Sequence, residues 1–460
     1  MKFKRLHKIV LVLTCILLVA GCTSLPDQNK AGEKRTVRIM VYDESYFYQE
    51  YGDLFNLKFP NTQIEIVSSS KLYDRSDKGE KYDFNEALCK FLQEEQPDVL
   101  LLEPTSIQKL AVGGKLVELQ PLIDRDKYDL TTYSQGVLES LKKLGDGKLF
   151  SLTPQFNINA IFYNADLFKK YGVEPPHDGM TWQEVFDTAR RFPIDGSEKE
   201  RVYGFELQAG MSMDELVSII GNSQGLHFYD KKTKKITINT DTWKNLYKMT
   251  KDTVDSKALY LSSGGGSGSI EESQPFLNGR AAMTVNASYY LNNIKQAATN
   301  TKDYKGFELG IAAGPVDHTD PTKTRGYVST LFAIRADSSN IEAAWDFVKF
   351  ANGEEVAKVK SKLINYGLST RQGISKEYNG VSLEPFYKLQ PRIDANIDDS
   401  ERLPSEFIGQ YYTILNREVK LFKENKKTVD EALNTVQVEA QVALDQAFKV
   451  QGHTKVSKGK

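Results

Sequence analysis

"TVRIMVYDESYFYQEYGDLFNLKFPNTQIEIVSS", residues 36–69, decides the fold class. TVRIMVY is an apolar run of strand length, FYQEYGDLFNLKF returns its apolar residues at helical spacing, and TQIEIVSS is a second strand. A polar insertion, KLYDRSDKGEKYD, then leads to the helical pattern FNEALCKFLQEE at 84–95. PDVLLLE at 97–103 is a third strand, and TSIQKLAVGG at 105–114 is a short helix closed by glycine. Such β-α-β alternation predicts a parallel sheet with helices on both faces. Ligands of these sheets sit beyond the carboxyl ends of the strands. That rule points at Tyr42, Asp43 and Glu44, at Ser68–Ser70, and at Glu103, Pro104 and Thr105.

The whole chain has 460 residues, more than one core usually holds, so two lobes are expected. Lys and Arg number 60 against 61 Asp and Glu, and this balance argues against a nucleic-acid surface or a strongly basic membrane patch. At the N-terminus, MKFKRLHKIVLVLTCILLVAGCTSLPDQ sets a basic segment before an apolar run too short to span a bilayer comfortably. Its end, Leu18-Val19-Ala20-Gly21-Cys22, resembles the bacterial lipobox, which implies cleavage before Cys22 and diacylation of its sulfur; the alternatives are an ordinary signal peptide and an uncleaved anchor. Residues 23–35, TSLPDQNKAGEKR, read as a flexible tether. Cys15 falls in the signal, so after processing Cys89 is the remaining free thiol; no internal disulfide and no cysteine-based metal cluster is expected. Beside Leu88, Phe91 and Leu92, Cys89 reads as a buried, inert thiol.

Chemistry-bearing motifs are sparse. The run at Gly264, Gly265, Gly266 and Gly268 is followed by Glu271 and Glu272 with no lysine, so it is no phosphate loop, and its spacing also misses the serine-hydrolase elbow. His7, His177, His227, His318 and His453 are scattered without H-E-x-x-H, and neither metal nor cofactor is expected. Thr181 with Glu184 and Thr428 with Glu431 form capping boxes ahead of helices. IEAAWDFVKFANGEEVAKV, 341–359, reads as one long amphipathic helix, and RAAMTVNASYYLNNI and FELGIAAGP as strand candidates. Trp182, Trp243 and Trp345 each open an i, i+3, i+4 apolar pattern or sit within one, which assigns all three to the core rather than to a ligand. An aromatic that stacks on a ligand should then be a tyrosine, with Tyr42, Tyr289 and Tyr327 at strand ends or loops. The last residues, VQGHTKVSKGK, read as a frayed, disordered tail from 451 to 460.

Several segments, in order, resemble the family 1 extracellular solute-binding proteins, the maltose-binding-protein-like receptors of ABC importers. They are PDVLLLEPTSIQKLAVGGKLVELQPLID, GKLFSLTPQFNINAIFYNADLFKKYGV, TWQEV, FLNGRAAMTVNASYYLNNI, GIAAGP and AIRADSSNIEAAWDFVKFANGEE. The resemblance implies an α/β fold of two lobes, each a mostly parallel sheet flanked by helices, with the ligand in the cleft between them. It implies one lobe from residues 36–154 with 326–367 and another from 155–325 with 368–450. It implies ligand contacts at Tyr42, Asp43, Glu44, Glu103, Thr105, Asn157, Asn159, Asn286, Ser288, Tyr289 and Tyr327. Short polar groups that both donate and accept suit hydroxyl-rich ligands, and tyrosine faces cover apolar C–H patches. It further implies capture of a sugar or oligosaccharide without catalysis and delivery to the transmembrane subunits of a permease. The receptor would be a monomer held at the outer face of the cell membrane through Cys22. The acidic set Asp43, Glu44 and Glu103 would also suit an amine. Two other readings stand beside this one: a sensing or adhesion lipoprotein on the same fold, and an anchored glycosidase that would need two carboxylates about 5–10 Å apart.

Overall fold

Arg35–Val41 is the centre from which the first sheet grows. In this computed structural model, which describes residues 34–73, 84–207, 211–261, 274–300, 306–364, 367–393 and 403–457, it pairs in parallel with Thr62–Ser68 on one side and Val99–Leu102 on the other. The signal segment with Cys22, residues 23–33 and the glycine run lie outside the described residues. Leu331–Ile334 adds antiparallel to Val99–Leu102, and Ser151–Leu152 closes the sheet antiparallel to it. Helix Ile341–Ala351 packs across Arg35–Val41 and Leu331–Ile334, burying Trp345, Phe347 and Val348 against Phe47, Phe55 and Phe332. Trp345 keeps its polar edge satisfied, its Nε1 donating to Asp126 at 2.9 Å.

The second sheet is built on the long strand Gln155–Asn164, antiparallel to Ala281–Ala287 on one edge and to Leu309–Ala313 and the end of Asp320–Tyr327 on the other. Ala281–Ala287 continues in parallel to Tyr203–Glu206, which pairs in parallel with Leu259–Tyr260. Helices Trp182–Ala189, Met213–Ser223, Asp241–Asp255 and Ser405–Lys423 cover it, together with Val429–Ser457. Both expected capping boxes form: Glu184 with Thr181 and Glu431 with Thr428 exchange reciprocal bonds. The three tryptophans are buried, as the helical spacing predicted.

The structure corrects several expectations. Both sheets are mixed rather than mostly parallel: Leu331 enters at the carboxyl edge of the first three strands and must run back against them, and Gln155–Asn164 enters the second sheet from its passage edge and runs against Ala281–Ala287 and Leu309–Ala313. Residues 341–359 are two helices, Ile341–Ala351 and Glu354–Lys360. The break comes where Asn352 folds its Nδ2 onto Val348 O at 2.9 Å and Gly353 turns extended to cap the second helix. Only Ala281–Ala287 of its candidate segment is strand; Tyr290–Asn300 is helix. Cys89 is exposed, since the buried stripe of its helix is Leu88, Phe91 and Leu92 and Cys89 falls outside that stripe. The C-terminal helix continues through Ser457, into the stretch read as a frayed tail.

Among the described residues the chain passes between the sheets three times. Thr153–Pro154 links Ser151–Leu152 to Gln155–Asn164, and residues 328–330 link Tyr327 to Leu331. The third passage begins after Arg371, whose guanidinium donates to Asn352 O and Asp129 O in the first lobe, and reaches Tyr378, which donates to Asn292 in the second. Just before it, Leu368–Ser369 lies against Phe156 and Gln155. Gly367 makes that approach feasible: its φ is +128°, and a Cβ there would stand 2.5 Å from Phe156 O.

Candidate functional site

Strand direction decides which side chains face the passages. Arg35–Val41, Thr62–Ser68 and Val99–Leu102 end at the edge where Leu331 enters, because Leu331 is the register partner of Leu102. Tyr42, Asp43, Glu44, Glu103 and Thr105 therefore stand on the first lobe's passage edge. In the second sheet, Asn157 opposes Tyr327 and Asn159 opposes Ala287, which places Asn157, Asn159, Asn286, Ser288, Tyr289 and Tyr327 on the facing edge. The carboxyl end of Tyr203–Glu206 and the following Leu207 share that edge, since that strand is parallel to Ala281–Ala287.

On the second lobe these residues enclose a hollow of about 440 Å³, its mouth included. Asn159, Asn286, Tyr289, Tyr327 and Arg325 supply its polar lining; Trp182, Phe205, Leu207 and Val285 supply apolar wall. Asn157 and Ser288 are buried beside it, the Ser288 hydroxyl donating to Asn157 Oδ1 at 3.4 Å. Asn286 Nδ2 is held by Thr284 Oγ1 at 3.0 Å, which fixes the orientation of its amide. A mixture of paired amides, phenol hydroxyls and aromatic faces is the lining expected of a small-molecule cleft.

The first-lobe residues do not line this hollow. Asp43 is committed as a helix cap, accepting from Tyr46 N at 2.7 Å. Glu103 precedes Pro104 as the N-cap of Pro104–Val112 without using its carboxylate there, and it is exposed. Tyr42 is 64% exposed and meets Tyr73 edge-on at 5.3 Å, an aromatic surface at the same edge.

Sequence reasoning missed the apolar wall of the hollow and its arginine, and two of these residues show why. Trp182 is core, as its spacing demanded, yet its ring also forms wall. Arg325 lies two residues before Tyr327 on one strand, so both side chains share a face, with Thr324 and Gly326 buried on the other. That period-two rule, applied outward from Tyr327, would have found it. Gly326 itself lets Gln390–Arg392 pack close: a Cβ there would meet Pro391 Cβ at 2.4 Å.

Electrostatically the hollow is one-sided. Among its lining residues Arg325 is the one charged side chain, and none is acidic, so the hollow itself holds no pair of carboxylates for glycoside hydrolysis. Burial pulls the Arg325 pKa down, opposed by Tyr327 and Tyr289, but a guanidinium stays protonated at any physiological pH. Burial likewise pushes the Tyr327 hydroxyl up to about 12, so it is a neutral donor and acceptor. Among the described residues no group of three or more His, Cys, Asp or Glu side chains is placed to hold a metal ion, and no helix is long and apolar enough to cross a membrane.

Comparison with known proteins gives the frame for this geometry. Residues 42–358 match the family described as bacterial extracellular solute-binding protein. The arabinooligosaccharide-binding protein of Bacillus subtilis is 27% identical over 362 residues, 76% of this chain and 77% of the relative. A sugar transporter from Rhizobium etli, solved in an open conformation, superposes with a TM-score of 0.65 at 19% identity, covering 89% of this chain and 99% of the other. The sugar-binding protein MalE of Xanthomonas citri gives 0.64 at 16% identity, covering 91% and 99%.

Proposed function

The chain belongs to the bacterial extracellular solute-binding proteins, and from that premise we propose that it is the receptor of an ABC importer, capturing a sugar or oligosaccharide between its two lobes without altering it. The observation that carries this reading is the hollow at the passage edge, where Asn159, Asn286, Tyr289 and Tyr327 surround a cavity walled by Trp182 and Phe205. Amides and phenols satisfy hydroxyls that both donate and accept, and flat rings cover the apolar faces of a pyranose or furanose. The Bacillus subtilis relative, named for arabinooligosaccharide binding, favours the same class.

In this reading residues 36–154 with 328–371 form one lobe and 155–327 with 378–450 the other, which moves the expected boundaries at 326 and 368 to the second and third passages. The ligand rests first on Asn157, Asn159, Asn286, Ser288, Tyr289 and Tyr327. Bending at the three passages then brings Tyr42, Asp43, Glu44, Glu103 and Thr105 over it. The ligand drives closure only through its greater affinity for the closed form. The receptor acts as a monomer at the outer face of the membrane, held by lipid on Cys22, and presents the closed lobes to the permease subunits. Isothermal titration with arabino-, malto- and xylo-oligosaccharides, paired with X-ray scattering, tests it. Heat of binding and a smaller radius of gyration with at least one sugar are expected. Absence of both across the panel refutes the proposal.

A further inference from the structure

Arg325 and its neighbour Arg392 both leave a buried Nε without an acceptor, but they differ in their ion pairs. Arg392, the register partner of Arg325 on the adjacent strand, has a carboxylate, with Nη2 3.1 Å from Asp320 Oδ2. Arg325 has none among the described residues, and its buried Nε meets no acceptor. Neutral amides, phenols and apolar rings surround it. A guanidinium withdrawn from bulk water without a counter-charge is unfavourable, and the fold keeps it in the wall of a cavity. We propose that the hollow receives an acidic saccharide, a sugar bearing a uronate carboxylate, and that Arg325 is the group that binds the carboxylate. This rests on the sugar-receptor reading above and narrows it.

The chemistry matches on three counts. A planar guanidinium can hold a carboxylate through two parallel N–H···O bonds. Tyr289 and Tyr327 line the same hollow as Arg325, so their hydroxyls can donate to the same anion or to a neighbouring ring hydroxyl. The charge also balances. One cation answers the single negative charge of a carboxylate, whereas a phosphate monoester brings roughly 1.5 to 2 negative charges, which a lone guanidinium leaves partly unbalanced. Trp182 supplies an apolar wall that suits the C–H face of the same sugar.

The test uses the mature full-length chain and matched probes: galacturonate and digalacturonate, galactose and galactobiose as neutral partners, and galactose 1-phosphate. Titration calorimetry is run on the wild type, Arg325→Gln and Arg325→Lys, with thermal melts checking that each variant folds. An acidic probe is expected to bind at least about 10-fold tighter than its neutral partner. Arg325→Gln should weaken the acidic probe by about 10- to 100-fold and the neutral one by a clearly smaller factor, and the acidic probe should be partly rescued by Arg325→Lys. Equal or tighter binding of the neutral partner, or an equal loss for both in Arg325→Gln, overturns the acidic-ligand inference and leaves the sugar receptor standing. Preference for galactose 1-phosphate overturns the carboxylate. The wild-type comparison decides even if a variant fails to fold, and binding of no probe, with the oligosaccharide panel also silent, removes both readings together.

Discussion

Raising the pH from 5 to 9 should destabilise the second lobe through one side chain, Glu206. It is 2% exposed at the end of Tyr203–Glu206, flanked in register by Thr284 and Tyr260, and its Oε2 accepts from the backbone N–H of Phe276. Burial raises its pKa to about 8 against the ordinary 4.5; the Phe276 bond and the more distant Arg280 only partly offset this. Between those two values the folded protein holds one proton more than the unfolded chain. Stability therefore falls as pH rises, by about 1.4 kcal/mol per unit. The contribution is complete below about pH 4.5 and is lost as pH climbs through about 8, amounting to at most about 5 kcal/mol. Glu206→Gln keeps an oxygen to accept from Phe276 and has nothing to titrate. Urea unfolding of both proteins at intervals from pH 5 to 9, followed by tryptophan fluorescence, isolates the effect, since every other group cancels in the difference. Trp182 reports on this lobe, its ring centroid 6.2 Å from that of Phe205. The wild type should lose several kcal/mol relative to the variant across the range. A difference constant to within about 0.5 kcal/mol would show that Glu206 is ionised and solvated in the folded chain, and the reasoning would fall.

Two further outcomes follow from named contacts. Gly326→Ala drives a methyl to 2.4 Å from Pro391 Cβ and 3.0 Å from Asn157 O, so it should cost about 1–3 kcal/mol in thermal unfolding and weaken sugar binding by displacing Arg325 and Tyr327. Cys22→Ala should leave ligand affinity untouched while shifting the protein from the membrane fraction to the medium, as immunoblots of fractionated cells would read; retention at the membrane would argue against the lipid anchor.

The fold was legible where one rule sufficed. Strand–helix alternation over residues 36–114 gave the first sheet's parallel centre, and the spacing around Trp182, Trp243 and Trp345 gave their burial. The candidacy of Asn159, Asn286, Tyr289 and Tyr327, which the structure brings together at the passage edge, came from the family resemblance. What stayed hidden depended on distant chain. The antiparallel strand Leu331–Ile334 reveals its direction only through its partner Val99–Leu102, and the apolar wall of Phe205 and Leu207 joins the hollow only through the pairing of Tyr203–Glu206 with Ala281–Ala287. The exposure of Cys89 turned on a choice of helix face that one residue of phase decides.

Because the described chain leaves the first sheet at Thr153–Pro154 and comes back to it at 328–330, the first half of this molecule cannot be finished by the ribosome before the other is begun. The N-terminal sheet leaves Val99–Leu102 with a bare edge until Leu331–Ile334 arrives, and buried Asp98 accepts from Ser338, 240 residues downstream. Gln155–Asn164 in turn waits for Leu368–Ser369. Contacts of such sequence separation form slowly and late, so the growing chain keeps these strand edges open through most of synthesis. A receptor exported as proposed above gains from that delay, since less finished structure stands to be pulled apart.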